Sequence, residues 1–226
     1  MKRTVKIIAV ILLLSFLFSL SSCGGEPPRE YNEAEVISEA KRLIKLSAIL
    51  NEIYYGVGMR YEEEGGLGAY KHADEEWLAT VGITTVEDLK EKTKLVFSEK
   101  YSETIFKTVL SPITEDDGTI LQYARYYQET GKKGEPLSIM VFTGYDYFLK
   151  NSVEYGDNVT VVEVEGQIVR VSIPITLTKE DGEKKSSTLT VDMIEEAAGW
   201  RLASATYAIY NDSTDRYEEL INGSGN

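Results

Sequence analysis

At about residue 119 the hydrophobic period of this chain changes from helical to alternating, and that change limits the fold more than any single motif. Upstream, Asn32 and Glu35 have the spacing of a capping box. Val36, Ile37, Ala40, Leu43, Ile44, Leu46, Leu50 and Ile53 then recur at helical intervals until Gly56 and Gly58. One face of that helix is expected in the core. A short helix is predicted over 74–79. Thr84 with Glu87 predicts another over 86–97, with Leu89, Leu95 and Val96 inward and Lys90, Lys92 and Lys94 in water. Ser98 is the expected cap of a further helix over 99–110, ending before Pro112.

Downstream, 167–178 alternates most cleanly, with Val169, Val171, Ile173, Ile175 and Leu177 on one face and Arg170, Ser172, Thr176 and Thr178 on the other. Pro174 argues for an edge strand or a bulge, because proline cannot donate to a ladder. Asp181-Gly182 offers a hairpin turn into a strand over 187–194, since this dipeptide tolerates the positive φ such turns need. Further strands are expected near 120–130, 137–143, 159–165 and 200–210. Helices followed by an antiparallel sheet of about six strands is the α+β plan.

The N-terminal segment follows different rules. Lys2, Arg3 and Lys6 precede an uncharged apolar run of 14 residues, Ile7 to Leu20, and then Ser21-Ser22, which is the layout of a secretory signal over 1–22. A spanning helix needs about 20 apolar residues. Leu20-Ser21-Ser22-Cys23 resembles a bacterial lipobox. That resemblance implies cleavage before Cys23, diacylglycerol on its sulfur, and an extracytoplasmic protein anchored to the bacterial cell membrane by lipid. Two acyl chains hold firmly because each buried CH₂ adds about 0.8 kcal/mol. The alternative is an ordinary secreted protein with one free thiol. Residues 23–32 read as a flexible tether, 33–212 as a single domain with 57–83 as an insertion or mobile loop, and 213–226 as a polar tail.

Cys23 is the only cysteine, so the domain is expected to stand without disulfides, and cysteine nucleophiles, iron–sulfur clusters and thiolate zinc sites are excluded. His72 is the only histidine, which rules out a two-histidine metal site within one chain. It reads either as a surface residue in a polar helix start or as a lone acid or base. No Gly-x-Ser-x-Gly elbow accompanies it. The glycines at 56 and 58, and at 65, 66 and 68, lack the Gly-Lys-Ser/Thr of a phosphate loop, and 115–118 and 179–185 lack calcium-loop spacing. Glu163 and Glu165 alternate on one strand face, as a carboxylate pair for glycoside cleavage or as part of a solvated outer face. No cofactor, no metal and no enzymatic activity is expected. The net charge of −13, or −16 once Lys2, Arg3 and Lys6 are removed, disfavours nucleic acid and suits either solubility or a basic partner.

Tyrosine stands out, with 15 copies. Tyr123, Tyr126 and Tyr127, then Tyr145, Tyr147 and Phe148, form an aromatic band that suits sugars, peptides or protein interfaces, and equally suits the lining of a core. These five tyrosines and His72 are the candidate binding residues.

The amphipathic helix over 33–55, Thr85-Val86-Glu87-Asp88-Leu89, Phe97-Ser98-Glu99-Lys100-Tyr101, the long hairpin and the closing Gly199-Trp200-Arg201-Leu202 together resemble the nuclear transport factor 2-like cone, a cystatin-like curved sheet packed on N-terminal helices. More narrowly, they resemble the bacterial cell-wall DL-endopeptidase inhibitors, secreted proteins that block autolysins. That resemblance implies a binding lipoprotein that regulates a peptidoglycan hydrolase or engages a wall component. The alternative is a small-ligand pocket or weak enzyme inside the cone, using His72 or a buried carboxylate.

Overall fold

In the computed structural model, which describes residues 31–145, 152–179, 181–207, 209–211 and 216–218, the helical half of the chain comes first. The expectations for Cys23, Tyr147 and Phe148 lie outside the described residues.

Helix α1 (Glu33–Tyr55) is capped by Asn32, whose side chain accepts from the amides of Ala34 and Glu35. The helix turns a wider polar stripe inward than its apolar residues suggest. Leu46, expected in the core, is 44% exposed, while Ser47 and Asn51 are buried. The reason is a polar latch on Thr206, whose hydroxyl lies 2.5 Å from that of Ser47 and accepts from Asn51 Nδ2 at 2.8 Å. Short helix α2 (Glu75–Val81) is capped by Asp74. Helix α3 (Val86–Val96) starts at Val86 as expected, but its cap is Thr85 with Asp88 rather than Thr84 with Glu87. Thr85 accepts from the Asp88 amide, and Asp88 Oδ2 accepts in return from the amides of Thr85 and Thr84. Leu95, also expected inward, is 61% exposed. Helix α4 (Glu99–Val109) is capped by Ser98.

The strand half gives a mixed α+β fold whose antiparallel sheet curls into a half-barrel. The long hairpin pairs β8 (Ile168–Thr178) with β9 (Lys184–Glu196), and β9 also pairs β10 (Gly199–Leu202). The turn is the expected one, with Gly182 at φ +86° and its amide bonded to the Lys179 carbonyl. Val169, Val171, Ile173, Ile175 and Leu177 are buried on one face, as their alternation predicts. Pro174 occupies neither an edge strand nor a bulge. The other side of β8 is shared by β7 (Thr160–Glu165), which pairs as far as Ser172, and β6 (Ser152–Tyr155), which begins at Ile175. The proline falls in the gap between them, so its missing N–H costs the ladder nothing on that side.

A second, three-stranded sheet of order β1-β5-β4 replaces the single six-stranded one expected. It joins β1 (Tyr70–His72), β4 (Tyr126–Thr130) and β5 (Pro136–Phe142). The 120–130 strand is therefore broken, its first part forming β3 (Ile120–Gln122), which pairs with β2 (Ile113–Thr114). Segment 57–83, expected as an insertion or loop, supplies edge strand β1 and helix α2. Lys71 Nζ donates to the carbonyls of Glu63 and Gly65 and closes the loop between. In the 200–210 region the strand stops at Leu202, and β11 (Ile209–Asn211) pairs with β12 (Arg216–Glu218), which lies within the expected tail.

The capping box holds the Asp88 carboxyl at about 2, below its ordinary 3.8, chiefly through the Thr84 hydroxyl and then the Thr84 amide. A depressed folded pKa means stability that is present above the unfolded value and lost as pH falls through the folded one. Asp88→Ala should cost about 1 kcal/mol at pH 7. The gap from the parent should close between pH 3.8 and about 2 in urea titrations. A gap unchanged at pH 2 contradicts the assignment.

Candidate functional site

Alternation on β4 divides the tyrosine band into two environments. Tyr126 points inward and is fully buried. Its hydroxyl donates to the Ile53 carbonyl at 2.6 Å and accepts from the Met59 amide at 3.1 Å, and burial lifts its pKa to about 12. Beside it, buried Arg125 sends Nη1 to the Tyr54 carbonyl at 2.9 Å and Nη2 to the Gly56 carbonyl at 2.6 Å, completing the end of α1. The Tyr145 ring sits 4.6 Å from that guanidinium carbon, and half-burial raises its phenol against the lowering effect of the cation. Tyr126 and Tyr145 therefore flank a buried arginine.

Tyr123 and Tyr127 join a different group, on the outer face of the three-stranded sheet. Tyr70 of β1 is paired with Phe142 of β5, and Tyr127 of β4 is paired with Met140. The Tyr70 ring lies 4.8 Å from Tyr127 and 5.2 Å from Phe142, and Tyr123 lies 5.2 Å from Phe142. These edge-on and tilted contacts suit ring quadrupoles. Tyr70 donates its hydroxyl to the Ala124 carbonyl at 2.7 Å, which fixes the centre of the cluster. Tyr123 is 47% exposed, and the other three rings are half-buried. Burial raises the Tyr70 and Tyr127 phenols, helped at Tyr127 by the Glu129 carboxylate, so both phenols are neutral at physiological pH.

His72 lies on the same face, in strand β1 rather than at a helix start. Its Nδ1 is 2.9 Å from Ser138 Oγ, which donates to Glu129 Oε2 at 3.0 Å. The order is histidine, serine, carboxylate. In a hydrolase triad the imidazole is in the middle and takes the serine proton. Here that proton is committed to Glu129, so Nδ1 donates to Ser138 and the serine gains no base from the ring. Glu163 is tied into an ion-pair row with Arg170 and Asp192 across β7, β8 and β9, on the solvated side of the hairpin. Among the described residues no three of His, Cys, Asp and Glu gather as a metal site requires.

Further tyrosines pack into the core. Burial pushes Tyr54, Tyr55 and Tyr101 far above the usual tyrosine range, and Tyr155 and Tyr207 up to about 12. Tyr54 bonds Thr93 at 2.7 Å, and Tyr155 donates to the Thr206 carbonyl at 2.6 Å. Sequence reasoning missed Tyr70, Phe142, Ser138 and Glu129 as members of the outer face. The available signal was the alternation Ser138-x-Met140-x-Phe142 in β5. Compared with protein-family models, curated proteins and solved structures, the chain matches none.

Tyr126→Phe keeps the ring but leaves the Met59 amide and Ile53 carbonyl unanswered. It should lower stability by about 1–3 kcal/mol in urea unfolding. A loss below about 0.5 kcal/mol would return this hydroxyl to the surface role that the sequence alone allows.

Proposed function

We propose that the chain is a lipid-anchored, extracytoplasmic binding domain of the nuclear transport factor 2-like kind, which engages a protein or wall component through the tyrosine face and restrains a peptidoglycan hydrolase. The observation that carries this reading is the partly exposed group of Tyr70, Tyr123, Tyr127 and Phe142 on the three-stranded sheet, held in place by ring contacts and the Tyr70 hydroxyl. Rigid aromatic side chains give a large contact area at a low cost in side-chain entropy. Three features lend further support. The curled sheet with helices is compatible with the cone. The interior holds the buried tyrosines Tyr54, Tyr55, Tyr101, Tyr126 and Tyr207, so those tyrosines serve the core and leave recognition to the outer rings. The net charge of −13 steers a cationic partner. The anchor rests on Leu20-Ser21-Ser22-Cys23.

A binding domain of this kind inhibits by occupying its target, so inhibition should saturate at a fixed stoichiometry. With the host's secreted endopeptidases and peptidoglycan as substrate, the parent should inhibit, and Tyr123→Ala combined with Tyr127→Ala should weaken inhibition at least about tenfold. The melting temperature should stay within about 3 °C. Absence of inhibition and of any co-purifying wall enzyme contradicts the reading, as does full inhibition by the double variant.

A further inference from the structure

Two cavities open on either side of the turn at Ile83, and their linings differ in charge. One, of about 240 Å³, lies among Leu46, Ile49 and Leu95 and carries Lys92; nothing in the structure shows what covers it. The other, of about 300 Å³, lies between α2 and the start of β5. Its apolar walls are Leu78, Ala79, Ile83 and Leu137, and its polar groups include Glu75 and Ser138. No lysine or arginine lines it. Glu75 is exposed and has no hydrogen-bond or ion-pair partner among the described residues. Ser138 links the cavity to the outer face, because its hydroxyl is the one that bridges His72 and Glu129.

We propose that this cavity receives a lysine or arginine side chain of the partner protein that docks on the tyrosine face, an inference that rests on the binding reading above. A volume of about 300 Å³ is at the lower end of small-molecule sites, which suits one side chain. Long basic side chains are amphipathic: the methylene stem lies along apolar walls while the charged head seeks a carboxylate and water. Leu78, Ile83 and Leu137 supply the walls, and Glu75 supplies an unpaired carboxylate. Glu129 sits one hydrogen bond behind Ser138, so the charge of the whole region favours a cation. An acidic or neutral polar side chain would bring an uncompensated group against Glu75, and the net charge of −13 opposes an acidic partner from a distance.

The test uses the full chain with methyl-labelled leucine and isoleucine, titrated with N-acetyl-arginine methylamide and with its uncharged citrulline counterpart. Saturable shifts of Leu78, Ile83 and Leu137 methyls with the arginine probe, at least about tenfold weaker with citrulline and with Glu75→Gln, are expected. Glu165→Gln, on the exposed strand β7, should bind like the parent. Equal binding of the two probes, no loss in Glu75→Gln, or shifts confined to Leu46, Ile49 and Leu95 overturns the proposal. If Glu75→Gln leaves hydrolase inhibition intact while the tyrosine double variant abolishes it, the cavity assignment falls and the tyrosine face stands. If the tyrosine variant inhibits like the parent, the binding reading itself falls.

Discussion

The structure depends on one recurring interaction: strand side chains finish the ends of helices with the sign each end demands. A helix leaves carbonyls bare at its C-terminus and amides bare at its N-terminus, with partial charges to match. Helix α1 has no basic residue in its last turn, and the missing positive group arrives from β4's threshold as Arg125, with Tyr126 beside it. At the C-terminus of α3, buried Arg201 of β10 donates to the Lys94 carbonyl. The N-termini receive acceptors instead. Gln128 of β4 takes the Val86 amide at the start of α3, and Glu196 of β9 takes the Glu99 amide at the start of α4. Both arginines bond to carbonyls, so each cation is met by a helix end whose dipole favours it. The planar guanidinium fork reaches the Tyr54 and Gly56 carbonyls from two nitrogens held in one rigid plane, a geometry that a lysine ammonium on its flexible stem does not preset.

The same contacts decide which residues of the three-stranded sheet face outward. Because Tyr126, the first residue of β4, is fixed on the end of α1, strand alternation sends Tyr127 to the other face, beside Tyr70. Gly58 is where the backbone makes room for this. Its φ is +93°, and a Cβ there would collide with the Arg125 guanidinium and the Tyr126 hydroxyl. The tyrosine face is thus the outer consequence of an inner polar lock, and Tyr70, Tyr127 and Phe142 are held by strands while Tyr123 joins them from the connection before β4.

Much of this could be read from the chain. The 167–178 alternation, the Asp181-Gly182 turn and the Ser98 cap follow from local rules and reappear in the structure. Leu46 and Leu95 misled because a helix of this kind carries more apolar residues than its core face uses, and Ser47 and Asn51 took the inward positions through Thr206, distant in sequence. Strand β1 has only three residues, too few to show a period, and it exists because β5 offers it a ladder. Arg125 gave no signal, since arginine is ordinarily a surface residue. Its clue was indirect: a long helix with no cation at its end, followed by a glycine pair.

Arg125 couples the end of α1 to the three-stranded sheet. Hydrogen exchange on Arg125→Lys tests it most directly, because lysine keeps the charge and loses the fork. Amides of Gly56, Gly58 and Met59 and those of β4 and β5 should lose protection together, while the β8–β9 hairpin keeps its own. Loss confined to 56–59, or spread evenly through the hairpin, would contradict it.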